Sequence, residues 1–364
     1  MKISEITNYL EELVPLNWQE SYDNCGLLVG DKNAEVTAVL TCLDCTEEII
    51  QEAIDKGCNL IIAHHPLVFS GLKKITGSDY VQRTVIKAIK HSIAIYAIHT
   101  NLDHFDKGVN FEIGNRLGLK NLKILAPKKQ QLSKLVVYLP KDSLSAINAA
   151  LFEVGAGSIG NYSSCHFRSA GTGSFEPNNE AQPVIGKSGD YEEVEEYRVE
   201  YLVQNHLLGK VLKSLIAVHP YEEVAYDLVP LSNVDQTIGA GMIGELADPM
   251  DEKSFLMFVK EQFKTGCIRH TDLLNKPIQR VAFCGGAGGF LLQDAKNQNA
   301  DIFITGDYKY HEFFDAENQI VIADIGHFES EQYTSNLIAD ILKKKFTTFA
   351  VHLTGINTNP INYF

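Results

Sequence analysis

The sequence is poor in positive charge and has no long apolar run. Lys and Arg number 32 against 46 Asp and Glu, which gives a formal net charge of −14. This charge repels nucleic acid and anionic membrane surfaces, so neither is expected as a partner. No stretch approaches the roughly 18 apolar residues that a membrane span needs, and the first residues lack the apolar core of a signal peptide. We therefore expect a cytoplasmic protein.

The seven cysteines are an odd number, spread along the whole chain. Such a set is not a disulfide framework, and reduced thiols fit a cytoplasmic protein. Cys42 and Cys45 have the C-x-x-C spacing of redox pairs and of half a zinc site. No second C-x-x-C follows, and side chains three apart in an extended segment face opposite sides. The pattern favours buried structural cysteines, with redox or zinc chemistry as the alternative.

Length and composition indicate a globular protein of two or three domains. The chain has 364 residues, of which 45% are hydrophobic and 21% are charged, enough to build a large core. Two outer blocks, 1–127 and 237–364, alternate strand-like and helix-like segments, which predicts mostly parallel sheets covered on both faces. In the first block, Thr46 is expected to cap a helix that stops at Gly57. The two blocks are expected to form similar α/β lobes.

The segment 128–236 differs in composition and pattern from both blocks. It holds strand-like stretches, "KLVVYLP" and "RVEYLVQ", two helix-like stretches, and a middle rich in Gly, Ser, Asn and Pro. A structureless loop of that length is uncommon inside a compact domain. We therefore expect a small inserted α+β domain, with hairpins and loops, whose strands pair with each other.

An apolar run that ends in two histidines marks one strand end. The run 60–63 is typical of a buried strand, and it stops at His64 and His65 because Pro66 cannot donate to a sheet ladder. In parallel α/β sheets, ligands and catalytic groups collect at the carboxyl ends of strands. For this stretch alone, ordinary hydrogen bonding of both imidazoles is the alternative.

Ligand-type side chains also follow three other predicted strands. They are His99, Asp103 and His104 after "IAIYAIH", Asp307 and His311 after "ADIFITG", and His327 with Glu331 after "NQIVIADIG". His327 and Glu331 are four residues apart, so they share one face of a helix. Because several strand ends carry such groups, the pattern favours a metal site over isolated hydrogen-bonded histidines.

The donor types indicate which ions could bind. Imidazoles mixed with carboxylates suit zinc, iron or manganese, whereas calcium and magnesium prefer oxygen ligands. The set exceeds one tetrahedral site and suggests two ions, which in hydrolytic sites lie about 3.5–4 Å apart. His99, Asp307 or His311 could transfer protons beside them. For His99 and His311, hydrogen bonding to a ligand carboxylate is the alternative role.

Six motifs in the same order resemble the Nif-three-like family, whose members are labelled GTP cyclohydrolase 1 type 2 homologues. The motifs are "SYDNCGLLVG", "AHHPLVF", "IHTNLD", "FCGGAGG", "ITGDYKYHEFFDA" and "DIGHFESE". The resemblance covers both outer blocks. It implies a dinuclear metal centre in a cleft between two related α/β lobes. On the family pattern, its ligands are His64, His65, Asp103, His327 and Glu331.

The middle segment is similar to the inserted domain of longer family members. Its motifs "GAGSIGNYSSC" and "HPYEEVAYDL" carry this resemblance. The inserted domain resembles the ferredoxin-like fold of CutA and PII signalling proteins. The resemblance implies a homohexamer built as a toroid of trimers, in which the inserted domains mediate trimer contacts and the metal sites face an inner cavity.

These expectations favour a metal-dependent hydrolase that acts on a nucleotide or another phosphorylated small molecule, with GTP as the candidate from the family label. Two divalent ions, zinc first and iron or manganese next, would be its cofactors, and His99, Asp307 and His311 are the candidate catalytic residues. One alternative is a metal-handling or regulatory protein with a PII-like sensing insert. Another is an assembly protein whose metal is structural. The turn "CGGAGGF" could bind phosphate or simply pack tightly.

Overall fold

The computed structural model describes all residues, 1–364, and has a mixed α/β fold with several sheets. It divides into two compact units, one formed by Met1–Pro127 with Gln236–Phe364 and the other by Lys128–Asp235. None of the helices combines the length and apolarity needed to cross a bilayer.

The regular elements alternate along the chain. The strands are β1 (Gly26–Val29), β2 (Ala38–Cys42), β3 (Leu60–Ala63), β4 (Ala94–Ala97), β5 (Lys120–Pro127), β6 (Leu132–Pro140), β7 (Phe167–Phe175), β8 (Glu192–Gln204), β9 (Tyr226–Pro230), β10 (Gly239–Met250), β11 (Arg269–His270), β12 (Ile278–Ala287), β13 (Ile302–Gly306), β14 (Val321–Asp324) and β15 (Ala350–Leu353). The α-helices are α1 (Ile3–Leu13), α2 (Glu47–Asp55), α3 (Tyr80–Lys90), α4 (Thr100–Asp103), α5 (Val109–Arg116), α6 (Leu144–Glu153), α7 (Leu208–Val218), α8 (Glu252–Phe263), α9 (Leu292–Asn297), α10 (His327–Glu331) and α11 (Thr334–Lys345). Short 3-10 helices lie at Leu16–Trp18, Lys141–Ser143, Asn205–Leu207, Gly289–Leu291 and Tyr310–Ala316.

The first sheet of the larger unit has the strand order β1-β4-β3-β2-β15. Strands β4, β3, β2 and β15 are parallel, and only the edge strand β1 is antiparallel. The residues of β2, β3 and β4 are all buried, as expected for short apolar strands covered on both faces. The prediction of a mostly parallel sheet is confirmed here.

The second sheet has the order β11-β14-β13-β12-β10-β5. Only β12, β13 and β14 run parallel, while β11, β10 and β5 pair antiparallel to their neighbours. The prediction of a mostly parallel sheet is therefore wrong for this half of the unit. Antiparallel pairs need no crossover helix, so the strand and helix alternation that predicted parallel pairing does not reveal them.

The two sheets exchange strands that are distant in sequence. Strand β5, from the first block, pairs with β10 in the second sheet, and β15, from the last block, pairs with β2 in the first sheet. One apolar core also joins the sheets, since Ile62 and Tyr96 belong to the same buried cluster as Phe283 and Ile304. The predicted lobes, 1–127 and 237–364, are thus interleaved in one unit.

Local signals place the helices that follow the buried strands. The Thr46 hydroxyl accepts a hydrogen bond from the backbone N–H of Ile49 and caps α2, as predicted. Gly57 follows the helix with φ +68°, a conformation that glycine adopts without strain. Asp79 caps α3 in the same way. Helices α2 and α3 precede β3 and β4, the two strands whose ends carry histidines.

The smaller unit, 128–235, has the element order β6-α6-β7-β8-α7-β9. Its four-stranded sheet has the order β7-β8-β6-β9, and every pair is antiparallel. Helices α6 and α7 bury Ile147 and Leu215 in the same cluster as Val137 and Tyr201 of the sheet. The order is that of a ferredoxin-like fold.

Candidate metal centre

Polar side chains from both sheets of the larger unit meet at the carboxyl ends of the strands. His64 and His65 directly follow β3, and His99 and Asp103 follow β4. From the second sheet, helix α10 follows β14 and carries His327 and Glu331. The parallel neighbours place these strand ends side by side, which is why residues far apart in sequence share one site.

Three groups of three side chains have all their ligand atoms within 4.8 Å of one another. They are His64 with Asp103 and Glu331, His65 with His327 and Glu331, and His64 with His65 and His99. All five residues that the family pattern suggests as ligands therefore lie in one cluster, together with His99. The groups overlap, so they describe one connected centre rather than separate sites.

Glu331 links two of these groups because its two oxygens face different histidines. Oε2 lies 3.0 Å from Nε2 of His65 and 3.1 Å from Nε2 of His327. Oε1 lies 3.9 Å from Nε2 of His64. The residue is 3% exposed, so its carboxylate is held in a fixed position. A carboxylate placed in this way can serve ligand sets on both of its sides.

Two buried atoms of the cluster have no hydrogen-bond partner. Nε2 of His64 and Oδ1 of Asp103 face each other at 3.6 Å, and neither makes a hydrogen bond. Buried polar atoms are rarely left unpaired, and an unpaired one costs roughly 1–3 kcal/mol. A cation between an imidazole nitrogen and a carboxylate oxygen would satisfy both atoms. The donor set and these two atoms fit a metal ion of the transition series or zinc.

The four histidines share a second feature, since the Nδ1 atom of each ring contacts an acceptor. The contacts are His64 to the Ile98 carbonyl at 2.8 Å, His65 to Asp44 Oδ1 at 2.7 Å, His99 to Asp23 Oδ1 at 2.9 Å and His327 to Asp307 Oδ2 at 2.8 Å. An acceptor fixes the N–H of the neutral ring on Nδ1 and leaves the Nε2 lone pair free. This arrangement is typical of metal-binding histidines.

Hydrogen bonds to carboxylates change the protonation of two imidazoles. Burial favours the neutral form of His65, but its hydrogen bonds to Asp44 and Glu331 outweigh burial and raise its pKa to about 10. Burial likewise opposes the charge on His327, and Glu331 is the main group that raises the pKa of His327 to about 9. Without a cation, both imidazoles are therefore protonated on both nitrogens and positively charged at neutral pH.

The two ligand-type carboxylates shift in opposite directions. Burial and the neighbouring charge of Glu331 raise the pKa of Asp103 to about 7. Burial also opposes ionisation of Glu331, but the neighbouring imidazoles, His327 first, hold its pKa well below the usual value. Glu331 is thus the permanent negative charge of the cluster. Divalent ions would replace the protons that the histidines otherwise hold.

The glycine-rich turn after β12 packs against the cluster. The backbone N–H groups of Gly285, Gly286 and Gly288 already donate to Asn110, Ser330 and Thr305 side chains. Gly286 has φ +62°, and a Cβ there would lie 2.4 Å from Oε1 of Glu331. These glycines allow a close approach of Glu331 and His327. Tight packing is therefore the observed role of "CGGAGG", and these three amides are not available to phosphate.

The three candidate catalytic residues occupy different places. His99 lies within the cluster, and Asp307 contacts His327 with a side chain that is 54% exposed. His311 is exposed on a 3-10 helix, its ring lies 5.2 Å from that of Tyr310, and it belongs to none of the three groups. His104, also singled out from the sequence, contacts the Trp18 carbonyl through Nδ1 and Glu20 through Nε2.

Two carboxylates that orient histidines were not predicted. Asp44 follows β2 and lies between Cys42 and Cys45, whose thiols are buried in the apolar core. Its position at the carboxyl end of a strand was the available signal. Asp23, in the motif "SYDNCG", accepts hydrogen bonds from His99 and from the backbone and hydroxyl of Thr100. All seven cysteines are free in the structure.

Comparisons with known proteins agree over the full chain. The model of the family Duf34/NIF3 (NGG1p interacting factor 3) matches residues 1–360. The chain is similar to proteins called GTP cyclohydrolase 1 type 2 homolog from Halalkalibacterium halodurans, at 39% identity, and from Staphylococcus epidermidis, at 36%, with 100% of both chains covered in each case. A crystal structure of a Bacillus cereus protein related to NIF3 covers 100% of this chain and 99% of that one, with 37% identity and a TM-score of 0.86.

Proposed function

The chain belongs to the Duf34/NIF3 family, and we propose that it is a dinuclear-metal-dependent hydrolase acting on a nucleotide or another phosphorylated small molecule. GTP is the first candidate, because it appears in the name of the similar proteins. The observation that carries the proposal is the split position of Glu331, whose two oxygens face different histidines. One ion would be held by His64, Asp103 and Glu331, and the other by His65, His327 and Glu331.

Zinc suits this mixture of imidazoles and carboxylates best, and iron or manganese are the next candidates. Two such ions, when bound, would supply Lewis acidity and lower the pKa of bound water. The chain's own contribution is to hold the ligand side chains in place and to keep Glu331 ionised. Nδ1 contacts to Asp44 and Asp307 orient His65 and His327, and the buried Glu331 resists protonation.

Proton transfer falls to residues that border the cluster. His99 keeps Nε2 free because its Nδ1 contacts Asp23, so it can accept or donate a proton inside the site. The exposed carboxylate of Asp307 is the second candidate. His311 remains a prediction from the sequence, and no contact with the cluster supports it.

Surfaces beside the cluster suit a substrate with a planar ring and negative charge. A pocket of about 600 Å³ is lined by Asp307, Phe290 and Lys309, among others. The exposed rings of Tyr22 and Phe69 lie 6.2 Å apart and are close in sequence to Asp23 and to the histidine pair. Aromatic rings stack on nucleobases, and a lysine attracts phosphate.

The proposal extends to organisation. Residues 1–127 and 237–364 form two related lobes, and 128–236 form an inserted CutA/PII-like domain, which the ferredoxin-like strand order of the smaller unit supports. The family resemblance suggests a homohexamer assembled as a toroid, and light scattering of the purified protein tests this directly. Seven unpaired cysteines support a cytoplasmic location.

A regulatory, non-enzymatic role is the second candidate, and a pocket in the smaller unit favours it. The pocket measures about 440 Å³ and is lined by apolar residues such as Phe175 and Ile185 together with Glu196 and Tyr221. A small ligand bound there would make the smaller unit a sensor. A metal centre without turnover, combined with ligand binding to this pocket, would support the second candidate over the first.

The test is to strip the protein of metal, reload it with zinc, manganese or iron, and assay it against GTP and a panel of phosphoesters. We expect turnover only in a reloaded form, with two ions bound per chain. Glu331→Gln should bind fewer ions and lose turnover while keeping its oligomeric state. Turnover that survives this substitution would point to a contaminating enzyme and refute the proposal.

A further inference from the structure

The last residues of the chain, 354–364, form a tail without helix or strand that is nevertheless fixed in place. The backbone N–H of Thr354 donates to the carbonyl of Thr41 at 3.0 Å. The N–H of Gly355 donates to Oε1 of Glu52 at 2.9 Å, and the Thr354 hydroxyl donates to the other oxygen of the same carboxylate. The tail is therefore anchored on α2 before it reaches the metal centre.

Further along, the tail contacts a carboxylate that orients a candidate ligand. The hydroxyl of Thr358 donates to Oδ2 of Asp44 at 2.8 Å, while Oδ1 of Asp44 accepts from Nδ1 of His65 at 2.7 Å. Each oxygen of Asp44 thus has one partner. The Asp44 side chain is 36% exposed, so water would compete for the carboxylate if the Thr358 hydroxyl were absent.

The next residue contacts the element that supplies the other ligands. The side-chain amide of Asn359 donates to Oε1 of Glu329 at 3.1 Å. Glu329 lies on α10 between His327 and Glu331 and is 5% exposed, so the amide of Asn359 satisfies one oxygen of a buried carboxylate. Oδ1 of Asn359 accepts from the N–H of Ile361 at 3.0 Å, which holds the amide in position.

We propose that Thr358 is a positioning residue of the metal centre, which acts through Asp44 to fix the ring of His65, while Asn359 holds the tail against α10. This inference rests on the proposed function only in requiring that the cluster binds metal. It adds a role for residues 354–364. The tail contacts Asp44, which follows a strand of the first sheet, and Glu329, which lies on the helix after a strand of the second sheet.

The size of the effect follows from the contacts. Loss of a group that orients a metal-binding histidine typically weakens metal affinity by about 10- to 100-fold. Asp44→Asn removes the charge that contacts His65 directly and is expected to fall in that range. Thr358→Val removes only the hydroxyl that holds Asp44, so we expect a loss of about 10-fold, the lower end, at one of the two ions.

The experiment titrates the metal-free protein with zinc against a chromogenic chelator and fits two affinities per chain. Thr358→Val is compared with Thr358→Ser, which keeps the hydroxyl, and with Thr354→Val. The last is a matched control. It also removes a hydroxyl that donates from the tail to a carboxylate, but the backbone N–H groups of Thr354 and Gly355 still anchor the tail, and Glu52 bonds to Lys56, Thr354 and Gly355 rather than to a candidate ligand. Circular dichroism verifies that each variant is folded.

A second measurement needs no metal. The Nδ1 proton of His65, observed by NMR in the metal-free protein, should exchange with water faster in Thr358→Val than in Thr358→Ser or Thr354→Val. This signal reports the orientation of one ring, so it would separate a positioning role from a general loss of stability. It also provides the answer if Thr358→Val proves difficult to load with metal.

The outcomes are distinct. Weaker binding of one ion in Thr358→Val, with Thr358→Ser and Thr354→Val close to wild type, supports the proposal. Wild-type affinity and proton exchange in Thr358→Val, or equal losses in Thr354→Val, overturn it while leaving the proposed function intact. Failure of the wild-type protein to bind zinc at this cluster would overturn both.

Discussion

Replacing Gly286 by alanine should disturb the candidate metal centre more than any change elsewhere in the glycine-rich turn. The added Cβ would lie 2.4 Å from Oε1 of Glu331 and 3.2 Å from Cε1 of His327. Relief of the first contact requires the carboxylate to move by about 1 Å, since ordinary van der Waals contact begins at 3.4 Å. Both neighbours are candidate ligands, so the strain falls directly on the centre.

The substitution should lower both the folding stability and the zinc affinity, and the two effects can be measured separately. The backbone of Gly286 has φ +62°, and an alanine in this left-handed region costs about 1–2 kcal/mol of folding stability. The displaced carboxylate should weaken zinc binding by about 10- to 100-fold. If turnover is found, a ligand misplaced by about 1 Å should lower it by about 100-fold.

Gly118→Ala is the matched control. Gly118 has φ +65°, and a Cβ there would meet nothing within 4 Å. Both variants should lower the thermal unfolding midpoint of the metal-free protein, Gly286→Ala by more because of its additional clash with Glu331, but only Gly286→Ala should lose zinc affinity in a chelator competition. Wild-type zinc affinity in Gly286→Ala, or an equal loss in Gly118→Ala, would refute the reasoning.

Two further predictions concern protons. At pH 8 the imidazoles of His65 and His327, with pKa values of about 10 and 9, hold protons that zinc must displace. Zinc binding should therefore release about two protons and tighten as pH rises. Calorimetric titrations in buffers of different ionisation enthalpy measure the number of protons released, and a value near zero contradicts the assignment of these two ligands. In the metal-free protein, both pKa values exceed the ordinary value of 6.5, so their contribution to stability is complete below that pH and is lost as pH rises through 9 and 10. The contribution of Asp103, whose pKa is raised to about 7, is lost mostly below that pH. The two histidines should therefore lower the unfolding midpoint between pH 7 and 10, and a midpoint that rises over this range would contradict their raised pKa values.

The sequence pattern carried much of the information about the site, because strand ends can be recognised locally. His64 and His65 follow a short apolar run that stops at a proline, and His327 and Glu331 have helical spacing after another such run. In the structure these side chains lie together since their strands have parallel neighbours that end at the same edge. That ions bind there remains part of the proposal.

The remaining features depend on contacts between distant segments. Asp44 is 314 residues from Thr358, and no local pattern reveals that they share a hydrogen bond. The pairing of β5 and β15 with the other block's sheet is equally non-local. His311 was expected near the ions from its position after β13, but Asp307 adopts φ +52° and a 3-10 helix follows, so the chain continues along an exposed path.

The exchange of strands also bears on the order in which the protein is made. Strand β15 completes the edge of the first sheet beside β2, yet more than three hundred residues separate the two in the chain. While the ribosome is still translating the middle of the message, the nascent first sheet has an open edge that could pair with other chains. The first sheet therefore cannot finish folding until residues 350–353 have been synthesised, and a prematurely terminated chain would be prone to aggregate.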